Sequence, residues 1–282
     1  MNNYLKYDPF VDGIYIHSKS IGDDTLQVKL SAKFCRDADC KFPDENTPIV
    51  GVLPELRSNH YYADMKLVRE IIRAGMNVVF LPHSFSGEQL NGCCGLIVPD
   101  GSFLIPDNFY ADNHKAKNLL HSDNFAYVQC VARAMERNLP ILAINKGGLL
   151  VAGLCGLQIC RSINELVTPL HHYRTDDGGH LVNIKKDTPL FEALNRRESV
   201  RVNSRHTNVL ASVRMQREHL SEVMGIPEQD VKLPLDIYAE ANDGVPEAWG
   251  LADKKILCVQ WNPELMSAEG GIFDYFSKQL SL

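Results

Sequence analysis

The sequence predicts an α/β fold in which a mainly parallel sheet is flanked by helices and extended by antiparallel strands. In the first two-thirds of the 282-residue chain, short apolar runs alternate with segments of helical periodicity, as in βαβ units. Nearer the C-terminus, apolar runs follow one another across turns such as Asn242–Gly244, which indicates antiparallel pairing. An abrupt strand-to-helix transition at Pro140–Gly148 is the third indication.

At this transition the apolar run Ile141–Ile144 stops at Asn145, which a lysine and two glycines follow, and a helix-compatible segment, Leu149–Leu157, begins directly afterwards. In α/β hydrolytic enzymes such an elbow holds a nucleophile at a helix N-terminus, and its glycines let the backbone turn tightly. Asn145 is not a nucleophile. The pattern therefore supports the predicted α/β fold and argues against nucleophilic catalysis at this position.

The remaining elements are predicted from periodicity and from residues that end helices. His60–Ala74 has helical spacing and Gly75 provides a C-terminal stop, whereas continuous apolar runs indicate strands covered on both faces. Asp123–Asn138 is predicted to be an amphipathic helix whose apolar side carries Phe125, Val128, Val131, Ala132 and Met135. A closing helix spans about Gly271–Leu280, residues 100–122 form a loop over the C-terminal edge of the sheet, and Ile159–Leu181 is irregular. The other predicted strands are Ile49–Leu53, Asn77–Pro82, Gly95–Pro99, Val200–Ser204, Leu235–Ala241, Glu247–Leu251 and Ile256–Trp261.

The N-terminal residues differ from this pattern. Residues 1–46 alternate weakly, as in Gly13–His17 and Thr25–Leu30, and predict a β-hairpin or small β appendage. Pro43–Pro48 has the composition of a linker. We therefore expect an appendage at 1–46 and one larger domain at 47–282.

Composition excludes several classes of function. A net charge of −6 and a pI near 5.9 give no reason to expect nucleic acid or an anionic membrane as partner. No apolar run approaches the roughly 18 residues that span a bilayer, and the N-terminus lacks a signal-peptide core. Most of the eight cysteines lie in apolar stretches, which is typical of free thiols in a reducing cytoplasm. Cys35 and Cys40 stand too far apart, with no second pair nearby, for a zinc signature.

Several segments, taken in order, resemble class I glutamine amidotransferase-like hydrolases, in particular the γ-glutamyl hydrolase branch that includes γ-glutamyl-γ-aminobutyrate hydrolases. The resemblance covers roughly residues 48–280 and implies a flavodoxin-like α/β domain that needs no metal or cofactor. The segments that carry it are Gly75–Pro82, Gly95–Pro106, Asp123–Gly147, Val202–His206, Asp243–Ala248 and Val259–Glu264.

The resemblance also implies a catalytic site whose key residues are replaced. Family members use a Cys–His–Glu triad, in which a thiolate attacks a γ-carboxamide, the histidine relays protons and the acid orients the imidazole. Here Asn145 takes the cysteine position and Asn262 the histidine position, while Glu264 retains the acid. An amide has no useful nucleophilicity and shuttles no proton near neutral pH.

Other positions of the implied site depart from the family as well. The early Pro-Gly-Gly motif, which supplies backbone N–H donors to the oxyanion, has Asp100 before Gly101, and an Asp side chain there opposes a developing negative charge. Phe103 stands where many relatives have Asp, and Leu149 replaces the glutamine of the elbow motif.

The roles of the remaining candidates are open. Lys146, which precedes Gly147 at the start of a helix, could bind an anion or be a solvated replacement for the family arginine. His206 matches a motif near the substrate pocket but could equally be a structural loop histidine. Cys155 lies in a sequence that copies an elbow, yet no strand precedes it, and a buried structural thiol is favoured.

A histidine-rich stretch also invites a metal interpretation. His171, His172 and His180 have a spacing that fits no common zinc site, so solvent-exposed or loop-stabilising roles are favoured over metal binding. We expect neither a metal nor a cofactor.

Two hypotheses of function follow. The first is a pseudoenzyme that binds a small amino-acid-like or γ-glutamyl ligand, or a protein partner, without hydrolysing γ-glutamyl amides; residues 1–46 could then provide a partner or homodimer surface. The second is an active hydrolase in which Lys146, His206, Glu264 or Cys155 performs a different reaction on a related amide.

Overall fold

The computed structural model describes residues 5–8, 13–17, 46–57, 60–81, 88–112, 122–162, 173–174, 179–266 and 271–280. Its strands are β1 (Leu5–Asp8), β2 (Gly13–His17), β3 (Ile49–Val52), β4 (Glu55–Arg57), β5 (His60–Asp64), β6 (Asn77–Phe80), β7 (Gly95–Val98), β8 (Ile141–Ile144), β9 (Ile159–Cys160), β10 (Tyr173–Arg174), β11 (His180–Ile184), β12 (Ser199–Val202), β13 (Ser204–Arg205), β14 (Val209–Leu210), β15 (Asp236–Ala241), β16 (Pro246–Leu251) and β17 (Ile256–Val259). Its α-helices are α1 (Met65–Arg73), α2 (Ser122–Glu136), α3 (Lys146–Leu154), α4 (Pro189–Ala193), α5 (Val213–Met224) and α6 (Ile272–Gln279).

A nine-stranded sheet organises the fold, in the order β12-β11-β15-β16-β17-β8-β7-β3-β6. The strands from β17 to β6 pair in parallel, and β16, β15, β11 and β12 extend this part by antiparallel pairing. The predicted fold class is therefore confirmed. Because β7 and β8 are parallel neighbours of the central region, the loops after them meet at the same edge of the sheet.

Helices cover both faces of this sheet, which explains why the central strands have no polar side. One core packs α1, α4 and α6 against side chains such as Leu142 and Ile144, and the other packs α2 and α3 against Ile141 and Ala143. All four residues of β8 are fully buried. Alternate side chains of one strand thus enter opposite cores, as expected for a strand buried on both faces.

The helix predicted over His60–Ala74 is wrong for its first five residues. His60–Asp64 forms β5, which pairs with β2 and β4, and the helix begins at Met65. Asp64 ends the strand and caps the helix, since its carboxylate accepts the Lys66 N–H at 2.7 Å. Helical periodicity is present, but pairing across distant strands overrides it at the N-terminal end.

A second sheet, ordered β1-β2-β5-β4, joins the N-terminal hairpin to strands β5 and β4. The hairpin predicted around Gly13–His17 thus has a partner within the region assigned to the larger domain. The division at residue 46 stays a prediction. Thr25–Leu30, Cys35 and Cys40 lie outside the described residues.

Other differences concern segments with weak local signals. Phe125, predicted on the buried side of its helix, is 39% exposed, and the buried side of α2 is formed by Ala126, Tyr127, Cys130, Val131 and Ala134. His180 and Leu181, expected to be irregular, begin β11. Helices α4 and α5 were not predicted. Within the described segments, no helix is both long and apolar enough to cross a bilayer.

Candidate functional site

The elbow between β8 and α3 holds Asn145 in a strained backbone conformation. Its φ of 49° and ψ of −114° lie outside the regions that non-glycine residues normally occupy. The Asn145 N–H donates to the carbonyl of Val259 at 2.7 Å, and its own carbonyl accepts the Leu149 N–H at 3.2 Å. Contacts with the neighbouring strand and with the first turn of the helix thus hold the strained geometry in place.

The glycines of the elbow are explained by close packing. A Cβ added to Gly147 would lie 2.2 Å from the carbonyl oxygen of Val98, closer than any real contact. At Gly148 the nearest atom would be 3.2 Å away, on the Trp249 ring. Only a glycine at position 147 lets the helix start this close to β7.

The structure brings together Asn145, Asn262 and Glu264, the three residues expected at the triad positions. The Asn145 Nδ2 donates to Asn262 Oδ1 at 3.1 Å, and the Asn262 Nδ2 donates in turn to Glu264 Oε1 at 2.9 Å. The Gln260 Nε2 donates to Asn145 Oδ1 at 3.0 Å. These four side chains form a directed chain of amide donors that ends on a carboxylate. Neither a thiol nor an imidazole takes part in this chain.

A second carboxylate, that of Asp100, closes the site from the loop after β7. Its Oδ2 accepts the Asn145 Nδ2 at 3.2 Å, and its Oδ1 accepts the backbone N–H of Gly101 at 2.9 Å. The backbone N–H of Lys146 also acts on this carboxylate and lowers its pKa. In hydrolases with such an elbow, the N–H after the nucleophile is one of the oxyanion donors. Asp100 therefore lies beside the N–H group that acts as an oxyanion donor in those hydrolases.

Burial and neighbouring groups shift the pKa values of the two carboxyl groups of the site, those of Asp100 and Glu264. Burial raises the pKa of Asp100, against the opposing effects of the Lys146 charge and of the N–H groups that it accepts. Burial raises the pKa of Glu264 to about 7. The hydrogen bond from Asn262 lowers that pKa, whereas the charges of Asp64 and Asp100 raise it further.

A cavity of about 370 Å³ opens beside these groups. Asp100, Gly101, Asn262 and Glu264 form part of its wall, and the other lining residues are Glu55, Tyr62, Ala63, Asp64, Leu67, Pro99, Ser102, Arg205 and Leu265. The volume lies at the lower end of the ~300–1,000 Å³ range of small-molecule sites. Such a cavity has room for a ligand the size of an amino acid.

Lys146 is not among the residues that line the cavity. Its ammonium lies 5.8 Å from the centroid of the Phe103 ring, within cation–π range, and its charge acts on Asp100. Phe103 itself stacks on Tyr127 with ring centroids 4.6 Å apart. The aromatic residue that replaces the family's Asp thus forms a platform for the lysine.

His206 lies in a buried cluster and does not line the cavity. Its Nε2 is 3.6 Å from Glu247 Oε1 and 3.5 Å from Ser204 Oγ, and the Nε2 of His180 is 2.9 Å from the same Glu247 oxygen. Glu247 has no exposed surface, so the nearby imidazoles compensate its burial. His180 is only 6% exposed and begins β11, so of the two expected roles, solvent-exposed or loop-stabilising, the solvent-exposed one is wrong for this residue. His171 and His172 lie outside the described residues.

Cys155 is remote from the elbow residue. It caps the C-terminus of α3, and ten residues at 1.5 Å per residue separate it from Asn145 by roughly 15 Å. Burial raises the pKa of its thiol to about 11, so only about 10⁻⁴ of it is thiolate at pH 7. Among the described residues, no cluster of three or more potential ligands could hold a metal ion.

Sequence reasoning missed several residues that shape the site. Gln260, fully buried, holds Asn145, and Asn203 clamps Asn262 by donating to its carbonyl at 2.7 Å and accepting its N–H at 3.0 Å. A polar residue directly after an apolar strand was the available signal for Gln260. No local signal marks Asp64 or Arg205 as parts of the cavity wall.

Comparisons with known proteins find solved structures of similar fold. A candidate GMP synthase component from Thermoplasma acidophilum has a similar structure, with a TM-score of 0.53 at 14% identity, over 83% of this chain and 94% of that one. A glutamine amidotransferase from Thermotoga maritima aligns with a TM-score of 0.50 at 13% identity, over 80% of each chain. At these identities the likeness shows a common fold, that of class I glutamine amidotransferases. No curated protein sequence matches the chain.

The sequence itself matches a family over most of its length. Residues 48–264 fit the profile of Peptidase C26, and this range contains the elbow, the Asp100 loop and the turn with Asn262 and Glu264. The chain belongs to the Peptidase C26 family.

Proposed function

We propose that the protein is a non-catalytic member of its family, which binds a small amino-acid-like ligand and does not hydrolyse γ-glutamyl amides. The observation that carries the proposal is the position of the Asp100 carboxylate, which accepts the backbone N–H of Gly101 at 2.9 Å and whose pKa the backbone N–H of Lys146 lowers. An acyl-transfer site needs those donors free for the tetrahedral oxyanion. Here the carboxyl group of Asp100 lies in their place.

The replaced triad supports the same conclusion. The Asn145 amide accepts from one side chain and donates to two others, so hydrogen bonds hold it in place. Its nitrogen lone pair is delocalised into the carbonyl group, so the amide is a poor nucleophile. The Asn262 amide cannot take up a proton from a nucleophile. Loss of triad members in comparable hydrolases costs on the order of 10⁴–10⁶ in turnover.

A retained cavity argues for binding rather than for mere decay of the site. The wall keeps about 370 Å³ of space beside polar groups of both charges, among them Glu264 and Arg205. An amino acid presents an ammonium and a carboxylate in a compact frame, which such a wall can pair. A small ligand fits this concave, charged site better than a protein surface does.

The alternative function is an active hydrolase whose catalytic residues lie outside the family triad. Cys155 is the strongest candidate for its nucleophile. A thiol whose pKa is raised to about 11, at the far end of α3, makes a poor nucleophile for a ligand bound near Asn145. Glu264 could act as a general base, but a base alone does not replace the lost oxyanion donors.

The test is turnover of glutamine and of γ-glutamyl amides by the purified protein, together with labelling by a thiol-reactive γ-glutamyl analogue. We expect no turnover above a no-protein control and no labelled cysteine. Turnover that disappears in Cys155→Ala or in Glu264→Gln would overturn the proposal and identify the group responsible. Asp236→Asn, at an exposed position on β15, serves as the matched control substitution.

A further inference from the structure

We infer that the ligand of this cavity carries an ammonium group at the end of its side chain, and that the carboxylate of Glu264 receives it. The inference rests on the proposed function, because it names the ligand class for the same cavity. A basic amino acid or a related diamine of similar length has the required chemistry.

Among the described residues, the wall of the cavity carries more acidic than basic side chains. Four carboxyl groups line it, and the guanidinium of Arg205 is the single cationic side chain among its described lining residues; the carboxyl groups belong to Glu55, Asp64, Asp100 and Glu264. Arg205 can pair with the carboxylate of an amino acid, as guanidinium groups commonly do. The remaining imbalance favours a ligand with net positive charge.

The amide groups of the site strengthen this preference, because their assigned hydrogen bonds are donated to other groups of the site. Gln260 donates to Asn145, Asn145 donates to Asn262 and Asp100, and Asn262 donates to Glu264. The N–H of Gly101 is likewise taken by Asp100. With these donors satisfied internally, the site offers acceptors to a ligand.

One carboxylate oxygen of Glu264 is a hydrogen-bond acceptor that lacks a donor within the described part of the chain. Its Oε1 accepts from Asn262, but its Oε2 is buried without a hydrogen-bond partner among the described residues. A buried carboxylate oxygen in this state is costly, and the nearby charges of Asp64 and Asp100 add to the cost. An ammonium group has three donors and a positive charge, so it would satisfy the oxygen and offset all three carboxylates.

A proton competes with the ammonium group of the ligand for the carboxylate of Glu264. The pKa of Glu264 is raised to about 7, so the carboxyl is about one-eleventh ionised at pH 6 and ten-elevenths ionised at pH 8. If only the ionised form binds, affinity rises about tenfold over this range. The charged groups around it are Asp64 at the start of α1, Asp100 after β7, Glu55 on β4 and Arg205 on β13, with Lys146 beyond Asp100.

Isothermal titration calorimetry with lysine, norleucine and 2-aminoadipate tests the inference, because these amino acids share one frame and end in an ammonium, a methyl and a carboxylate group. At pH 8 we expect lysine to bind about 10- to 100-fold more tightly than norleucine, as a charge-assisted hydrogen bond provides, and 2-aminoadipate to bind most weakly. Lysine affinity should fall about tenfold at pH 6, whereas norleucine affinity should change less.

The variant Glu264→Gln keeps the shape of the side chain and an oxygen for Asn262. It should remove both the preference for lysine and the pH dependence, while Glu136→Gln, exposed on α2, should change neither. Equal or tighter binding of 2-aminoadipate, no binding of lysine, or an unchanged preference in Glu264→Gln would overturn the inference. Turnover of γ-glutamyl amides is measured separately, so a failure of the proposed function is distinguishable from a reversed charge preference.

Discussion

Under the proposed function, a cysteine at position 145 and a histidine at position 262 should not by themselves produce hydrolysis, because the Asp100 carboxylate still lies at the proposed oxyanion site. We expect the double variant Asn145→Cys/Asn262→His to be nearly inactive. The triple variant with Asp100→Gly, which frees the N–H groups of Gly101 and Lys146, should be markedly faster. Asp100→Gly also returns the loop to the Pro-Gly-Gly pattern of the hydrolases that the chain resembles.

The size of the difference follows from the contacts. Loss of one oxyanion donor costs about 10²–10³ in kcat in a comparable hydrolase. Independently, two negative charges about 4 Å apart at an effective dielectric constant near 20 repel by about 4 kcal/mol, which corresponds to roughly 10³ in rate. Either effect alone predicts that the triple variant exceeds the double variant by about 10²–10³.

The assay is release of p-nitroaniline from γ-glutamyl p-nitroanilide. Rates are normalised to the amount of introduced thiol that a thiol reagent titrates in each Asn145→Cys variant, after subtraction of the value for the wild type. Unequal folding or oxidation of the variants then does not enter the comparison.

Adding Glu55→Gln to the double variant is the matched control, since it removes a carboxylate from the cavity wall but leaves the backbone donors occupied. A double variant within threefold of the triple variant would refute the reasoning, as would an equal gain from Glu55→Gln.

Three further predictions concern stability and are checked by urea unfolding. Asn145→Ala removes three side-chain hydrogen bonds and leaves the buried Gln260 amide without its acceptor, so we expect a loss of about 2–4 kcal/mol; a loss below about 1 kcal/mol would contradict the network. Gly147→Ala places a Cβ 2.2 Å from a backbone carbonyl of β7 and should cost more than about 3 kcal/mol or prevent folding, whereas Gly148→Ala, with 3.2 Å to a ring carbon, should cost clearly less; equal losses would be inconsistent with the packing. The pKa of Glu264 is about 7 in the folded chain against an ordinary 4.5, so its contribution to stability is fully present below pH 4.5 and is lost as the pH rises through 7. The unfolding free energy of the wild type should therefore fall, relative to that of Glu264→Gln, by up to about 3 kcal/mol between pH 4.5 and pH 8, and a constant difference would argue against a buried, ionising carboxyl.

Local sequence patterns predicted an element correctly where the residues of that element are enough to determine its structure. The apolar run of β8 and the glycines that follow it predicted the elbow, because a strand buried on both faces and a tight turn each leave a signature within a few residues. Patterns failed where partners lie far apart in the chain. His60–Asp64 has helical spacing but pairs with β2 and β4, and β11 takes its place only through β12 and β15.

The sequence by itself determined which chemical groups stand at the elbow and at the turn before Glu264: two amides and one acid, with neither a thiol nor an imidazole. Only the tertiary structure decided what those groups do. Asn145 meets Asp100 across 45 residues and Asn262 across 117, so the directions of their hydrogen bonds cannot be read from any local segment. The physical reason is that the loops after parallel strands meet at one edge of the sheet, which is where the Asp100 carboxylate accepts hydrogen bonds from Gly101 and Asn145.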